Sequence, residues 1–388
     1  MRKSLLTGCV MVVLVCAFGV SAAEKGKLQD INLAPKATYV KMFTQGLTIV
    51  GVPDYLRYGQ LRKHSGPVGD VYYGARSVDT IDPYFVWENN PQDVRVVRLW
   101  CSGGDVGTIQ GVWVDKLIDP LHPELEISWK PIFNTYAAST PIPGKHPQIV
   151  EIDLGQVHTT EGLRFRTDFV TATGDNRRTI SQVQIFGDLG GDSGQGSFGD
   201  FRVTKAGIWT ASTQANGGSV NSLPYGASGD RWLSDTQTIN AAANNGVQAY
   251  WVACSFGAEG VNLNTVEICW LDKTDNGVRE MPAFWEVWYA TADAPGTMIM
   301  AGRYEKTLNG YTHNGVAQNT LMYLCGVGDL EDVVKVQVVV PYSALSSVDN
   351  KVGAFHVAFY DIPGLRVPEP ATMTLLALGG LAMLRRRK

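Results

Sequence analysis

Short strand-like runs separated by turn residues set the strongest limit on how this chain can fold. The runs are rich in β-branched and aromatic residues, and no long stretch shows a sustained helical period. The 42 glycines favour frequent turns between them. The pattern predicts an all-β protein built from β-sandwiches. The runs are Asp93–Trp100, Gly111–Val114, Glu124–Trp129, Ile149–Leu154, Gly162–Thr167, Ile180–Phe186, Thr265–Leu271, Phe284–Ala290, Val333–Val340 and Ala354–Tyr360.

Two apolar segments at the chain ends are typical of export signals. A basic dipeptide, the apolar stretch Leu5 to Val20 and small residues ending at Ala23 predict a signal peptide cleaved after Ala23. At the other end, Ala371 to Leu384 is apolar and precedes four basic residues. This run covers only about 20 Å as a helix, and a stable span needs about 20 residues. We therefore expect an N-terminal signal helix and a C-terminal short hydrophobic helix, both outside the folded domains.

Pro368-Glu369-Pro370, the apolar run and the basic cluster follow one another up to the last residue. This arrangement resembles the PEP-CTERM sorting signal of Gram-negative and related bacteria. The resemblance implies that an exosortase-type enzyme recognises Pro368, Glu369 and Pro370 and removes the tail. The protein would then be anchored in the inner membrane only transiently, before it reaches the cell surface, the outer membrane or the extracellular matrix. An ordinary tail anchor is the alternative.

The mature chain of about 340 residues suits two domains. Residues 188–199 are rich in Gly and Ser and predict a flexible linker between a first sandwich at 24–187 and a second at 200–363. Residues 1–23 and 367–388 are the two signals. Similar motifs recur in order, because Cys101 precedes Trp113 in one half as Cys254 precedes Trp270 in the other. An internal duplication explains this order, and chance similarity between two strand-rich domains is the alternative.

Each half resembles the galactose-binding-like jelly roll, especially the discoidin or coagulation-factor type C module. The resembling segments are Asn32–Thr38 and Val150–Gly155 in the first half, and Lys205–Ser212 and Ser228–Ser234 in the second. The resemblance implies two tandem sandwiches whose loops at one end hold a sugar or another ligand, often beside a structural calcium. Asp272 and Asp275 lie in an acidic turn and are the candidates for calcium, with a plain hairpin turn as the alternative. No other cofactor is expected.

Several function classes find little support in the composition. With a net charge of −4 and 18% charged residues, nothing suggests a nucleic-acid partner. The six histidines form no zinc-hydrolase motif. Glu126 and Glu286 would make a glycosidase pair only if the two domains clasped each other, and the alternative is a structural role for each. We expect a non-enzymatic protein.

Four cysteines remain after signal removal, at positions 101, 254, 269 and 325. Because the chain is exported, disulfides are permitted. A single bridge among Cys254, Cys269 and Cys325 is the expected pairing. For Cys101 and Cys254 the alternative is a buried, reduced side chain.

Aromatic side chains are the best ligand candidates, because an indole face covers the apolar side of a sugar ring. Alternation along a strand places Trp285 and Tyr289 on one face and Trp288 on the other. Trp232 lies in a predicted loop. Trp232, Trp285 and Tyr289 are the predicted ligand residues. The expected function is binding of carbohydrate, in particular the cell's own extracellular polysaccharide. A structural matrix protein without a specific pocket is the alternative, and a polysaccharide-degrading enzyme ranks third.

Overall fold

A computed structural model gives the architecture of the chain. It describes residues 31–43, 48–50, 56–57, 73–76, 80–101, 108–135, 148–170, 177–180, 182–191, 198, 200–204, 207–214, 219–225, 232–234, 249–271, 281–313, 316–320, 322–345 and 351–365. Among these residues the regular structure is β-strand and short 3-10 turns, which confirms the all-β prediction. No helix in the described ranges is long and apolar enough to cross a membrane. The two predicted terminal helices, Ala23 and Pro368-Glu369-Pro370 all lie outside those ranges.

The first sandwich consists of two main sheets packed around one core. One sheet has the order β1-β5-β10-β7-β8 with β4 beside β10, and the facing sheet has the order β12-β6-β9. Val97, Phe165 and Ile185 bring residues of both sheets into the same hydrophobic cluster. The strands are β1 (Tyr39–Met42), β2 (Thr48–Val50), β3 (Tyr73–Arg76), β4 (Thr80–Ile81), β5 (Pro83–Val86), β6 (Gln92–Cys101), β7 (Thr108–Leu117), β8 (Trp129–Thr135), β9 (Gln148–Thr160), β10 (Gly162–Val170), β11 (Arg177–Ile180) and β12 (Gln182–Phe186).

The second sandwich is one sheet folded over on itself. Its longest strand, β21, pairs with β16 in its first half and with β15 and β17 in its second half, so it contributes to both layers. Trp285 packs against Trp270 and Tyr323 across the space between the layers, with ring centroids 5.4 and 4.5 Å apart. The strands are β13 (Ile208–Ala211), β14 (Trp232–Leu233), β15 (Ala249–Ser255), β16 (Val261–Trp270), β17 (Phe284–Thr291), β18 (Ile299–Glu305), β19 (Leu308–His313), β20 (Val316–Asn319), β21 (Met322–Pro341) and β22 (Gly353–Tyr360).

The two sandwiches repeat one topology. The layer β13-β15-β21-β17-β18 corresponds to β1-β5-β10-β7-β8, and β22-β16-β21 corresponds to β12-β6-β9. Gly155 and Gly328 occupy matching places before the return of the chain, and both have φ of 78°. The predicted duplication is therefore visible in the strand order, but its residue correspondences were wrong. Cys101 lies on β6, the counterpart of β16, whereas Cys254 lies on β15.

The sandwiches pack against each other through corresponding surfaces. Val96 on β6 pairs with the last residue of β12, and Thr265 on β16 pairs with the last residue of β22. Arg98 and Glu267 each lie two residues further along their strands, so they occupy equivalent positions in the two sandwiches. Arg98 Nη1 donates to Glu267 Oε1 at 2.6 Å across the interface. Gly190 and Gly364, each four residues beyond its closing strand, also meet, since Gly364 N–H donates to Leu189 O. The tandem thus has the geometry of a pseudo-symmetric dimer.

The described ends of the predicted flexible linker are packed, which corrects that expectation for them. Phe198 is fully buried and lies 4.8 Å from the Phe186 ring and 5.3 Å from the Tyr360 ring. Arg95 binds Asp188 and the carbonyl of Gly191 at 2.6 and 2.8 Å. These linker ends pack into a hydrophobic cluster to which both sandwiches contribute. The domain boundaries themselves stay predictions.

Two further sequence expectations are corrected by the structure. Glu126 to Ser128 form a 3-10 turn, and the strand begins only at Trp129. Cys254, Cys269 and Cys325 are reduced and buried, so the expected bridge among them is absent. Burial raises the pKa of Cys254 to about 12 and also raises that of Cys269. These thiols behave as small apolar core groups.

The connections give each sandwich two different ends. At the end that we call the terminal pole, strands join by short, described connections such as 87–91, 118–128, 256–260 and 292–298. At the opposite end, the loop pole, the chain runs through longer connections such as 136–147, 234–248 and 271–283. Trp100, toward the loop pole of the first sandwich, contacts His356, toward the loop pole of the second. The two sandwiches therefore point the same way.

Candidate functional site

The structure places two of the predicted ligand residues in the core of the second sandwich. Trp232 is 1% exposed and its indole N–H donates to Thr213 O at 2.9 Å, while Trp285 is fully buried. Tyr289 is partly buried against the same core. A buried ring has no free face on which a sugar could stack. The prediction that Trp232 and Trp285 contact a ligand is therefore wrong.

The remaining predicted site residues cannot be placed. Asp272 and Asp275, the calcium candidates, lie outside the described residues. Within the described ranges no three His, Cys, Asp or Glu side chains group as metal ligands. A structural calcium therefore stays a prediction.

The two glutamates considered as a catalytic pair lie on layers that face away from the interface. Glu126 receives two hydrogen bonds from Arg164, at 2.6 and 2.8 Å, and the Arg164 hydrogen bond lowers the pKa of Glu126. Glu286 lies on the outer side of β17 in the other sandwich. The sandwiches clasp through their other sheets, so the clasp does not bring Glu126 and Glu286 together.

A surface with exposed aromatic and polar groups lies on the outer side of the second sandwich. We call it the open face and define it by Trp251, Glu286, Trp288, Lys335 and Gln337. All except Gln337 are partly exposed, and Gln337 is 6% exposed. β15 and β17 flank the second half of β21, and the register sets Trp288 opposite Gln337 and Trp251 opposite Val339. The inner positions Trp285, Val287 and Val338 are core residues, so alternation turns the open-face side chains outward.

Hydrogen bonds and charges orient the open face. Trp288 Nε1–H donates to Glu286 Oε2 at 2.9 Å, which fixes the indole beside a carboxylate. Lys335 Nζ lies 5.9 Å from the centroid of the Trp251 ring. One strand, β21, lies between the two that carry the indoles, so two strand spacings of about 5 Å put the indoles roughly 10 Å apart across the sheet. The face combines two indoles with a carboxylate, an amide and an ammonium.

On the corresponding face of the first sandwich, the central strand carries a covered cation, Arg164. Arg164 is 1% exposed and lies over the rings of Phe43 and Trp129, at 4.4 and 5.3 Å from their centroids. Its Nε donates to Asp115 at 2.8 Å, so the charged group is both covered and paired. A covered ion pair thus occupies the centre of this outer face.

The charged cluster between the sandwiches is inaccessible to ligands. Arg98, Glu267 and His356 are each fully buried. Burial would raise the pKa of Glu267, but Arg98 and His356 outweigh it and hold that pKa below its usual value. Burial lowers the pKa of His356, with Glu267 opposing the shift. Tyr360, in the same sandwich as Glu267, donates a hydrogen bond of 2.7 Å to it, and the contact that crosses between the sandwiches is the one from Arg98.

Sequence reasoning recognised Trp288 as the outward alternative to Trp285 but selected the wrong side of the strand. Trp251 was not among the ligand residues predicted from the sequence. Trp251 and Trp288 lie near each other because β15 and β17 both pair with β21. Recognising this needs the strand register, which the sequence alone does not supply. Period-two alternation alone cannot say which face meets the core.

A family model for the PEP-CTERM protein-sorting motif matches residues 366–388. The chain therefore carries this sorting motif, which implies export, sorting to the cell surface and processing by an exosortase. The match covers the tail and says nothing of the activity of the sandwiches. No curated protein sequence matches the chain.

Several solved structures are similar in part. A fucolectin from striped bass serum (Morone saxatilis) is 10% identical over 85% of this chain and 98% of its own, with a TM-score of 0.29. The CBM32 module of AlyQ is 14% identical over 39% of this chain and 95% of its own, with a TM-score of 0.26. An allantoicase is 11% identical over 88% of this chain and 98% of its own, with a TM-score of 0.26. At such TM-scores the fold assignment depends on the strand pairing itself.

Proposed function

We propose that the protein is a surface-sorted, non-enzymatic carbohydrate-binding protein, and that the open face of the second sandwich is its binding surface. The observation that carries the proposal is the pair of partly exposed indoles, Trp251 and Trp288, on one outward sheet surface. Stacking on indole faces removes the apolar side of a sugar ring from water.

Polar neighbours supply the directional part of recognition. Glu286 keeps an oxygen beyond the one that accepts from Trp288, so it can accept from sugar hydroxyls. Lys335, which is partly exposed, can donate. A ligand that touches both indoles must extend roughly 10 Å across the sheet. This distance favours a polysaccharide chain over a monosaccharide, in keeping with a surface address and extracellular polysaccharide as the partner.

We propose binding without catalysis because the two candidate carboxylates lie in different sandwiches and each contacts a different side chain. Glu126 is paired with Arg164, and Glu286 lies on another sandwich beside Trp288. A glycosidase needs two carboxyl groups about 5 to 10 Å apart on either side of one bond. The structural matrix protein without a ligand remains the alternative function, and the following experiment separates it from a lectin.

Binding to bacterial exopolysaccharides and a glycan array tests the proposal with the mature protein and two variants. Trp288→Ala and Trp251→Ala should each weaken binding at least tenfold, because each removes one stacking surface. Trp113→Ala is the matched control, since Trp113 is also partly exposed on β7, the counterpart of β17. It should retain binding. No binding by the parent protein, or equal loss in all three variants, would refute the proposal.

A further inference from the structure

Both ends of the described chain leave the molecule at the terminal pole. Ile31 and Leu365 line one cleft of about 660 Å³ there, together with Asn90 from the β5–β6 connection and Asp93 near the start of β6. Leu365 is the last described residue, and its backbone N–H donates a hydrogen bond to Ile362 O at 3.0 Å. The folded part thus continues up to the start of the sorting segment.

Very little chain separates this exit from the apolar run of the tail. Only residues 366–370 lie between Leu365 and Ala371. Even fully extended they reach at most about 20 Å. The strands are longer than that, since the ten residues of β6 span about 33 Å. The sandwiches therefore cannot turn over freely while the apolar run is in a membrane.

The exposed apolar side chains are distributed unevenly between the poles. Nine large hydrophobic residues are exposed within the described ranges, and eight belong to the terminal pole or the strand ends beside it. Leu308, at the loop pole, is the exception. The eight are Ile118, Leu121, Leu125, Ile127, Val157, Ile208, Ile299 and Met300. Apolar exposure on one side of a molecule marks a surface that another phase or partner covers.

We propose that the terminal pole is a membrane-facing surface, held against the lipid headgroups by the short stem until the tail is removed. In that state the strands stand upright on the bilayer and both loop poles point away from it. Carboxylates such as Glu88 and Glu124 are also exposed at this pole, so it rests over the headgroups and does not insert. The open face, on the side of the second sandwich, stays accessible throughout.

Fluorescence quenching in lipid vesicles tests this orientation. The full chain with its tail is reconstituted in phosphatidylcholine vesicles that carry a short-range quencher on the headgroup. A fluorophore is attached to Leu121→Cys at the terminal pole or to Leu308→Cys at the loop pole, residues that are 82% and 63% exposed. The parent protein keeps its own cysteines and is the labelling blank, and the signal of any label that it takes up is subtracted.

The label at position 121 should be quenched severalfold more than the label at position 308. Equal quenching at both positions, or stronger quenching at 308, would overturn the proposal. Quenching at 121 that disappears when the protein is diluted in the bilayer would also overturn it, because a second copy would then be covering the pole. The result does not depend on whether the open face binds a glycan.

Discussion

At the residue scale, the most consequential contact is the ion pair between Arg98 and Glu267. Two equivalent positions of a symmetric dimer would carry the same residue and would repel each other if charged. Duplication within one chain allows Arg on one copy and Glu on the other. Arg98 also lies 4.5 Å from the Phe198 ring, so the guanidinium is enclosed by an aromatic group as well as paired. We expect the pair to favour this mutual register of the sandwiches, because any other register would leave both charges buried without a partner.

Breaking this pair on one side should be costly. Arg98→Met leaves Glu267 buried without its cation, and we expect the free energy of unfolding to fall by about 3–5 kcal/mol. Urea denaturation measures it. The double variant Arg98→Met/Glu267→Leu should recover much of the loss, because no buried charge then lacks its partner. A single variant within 1 kcal/mol of the parent protein would contradict the assignment.

At the scale of the element, β17 has one side in the core and one side on the proposed binding surface. Its inward residues Trp285 and Val287 fill the core, and its outward residues Glu286 and Trp288 face solvent. The sequence already contained the alternation. It could not contain the choice of side, because both sides of the strand carry a tryptophan.

Substitution on the inner side should therefore affect folding alone. Trp285→Ala removes a fully buried indole and should lower the free energy of unfolding by about 3–5 kcal/mol. Glycan affinity per folded molecule should stay unchanged. Denaturation and binding isotherms on the same preparations measure both quantities. If Trp285→Ala weakened glycan affinity of fully folded protein as strongly as Trp288→Ala, the division would be wrong.

Strand β6 shows a second property that the sequence alone does not predict, namely burial of both sides of one strand. Val97 and Leu99 point into their own core, while Val96 and Trp100 point into the interface. Both sides are buried, so the run Asp93–Trp100 was correctly predicted as a strand from its apolar content. Its burial on the second side depends on the other sandwich, which lies far away in the sequence.

At the scale of the whole molecule, the tandem should behave as one cooperative unit. The shared hydrophobic cluster and the buried ion pair join the sandwiches, in contrast to two modules on a flexible linker. We expect a single calorimetric transition for the mature protein. Two well-separated transitions in the parent protein would show that the interface contributes little.

Gly190→Ala should weaken this cooperation. Gly190 has φ of 82°, and a Cβ there would lie 2.5 Å from Gly364 N. The variant should lower Tm and broaden or split the transition. Gly296→Ala is the matched control, because a Cβ at Gly296 meets nothing within 4 Å, and it should unfold like the parent protein.

The sequence by itself determined the strand content, the division into two halves and the sorting motif, because these depend on local propensity, length and contiguous residues. Alternation, likewise local, placed Trp285 and Trp288 on opposite sides. Only the tertiary structure decided which indole is exposed, which strands of the two halves correspond, and that Arg98 meets Glu267. All three features depend on which distant segments pair and pack together. The free energy gained by burying one side of a strand depends on the segment that covers it, and that segment lies elsewhere in the sequence.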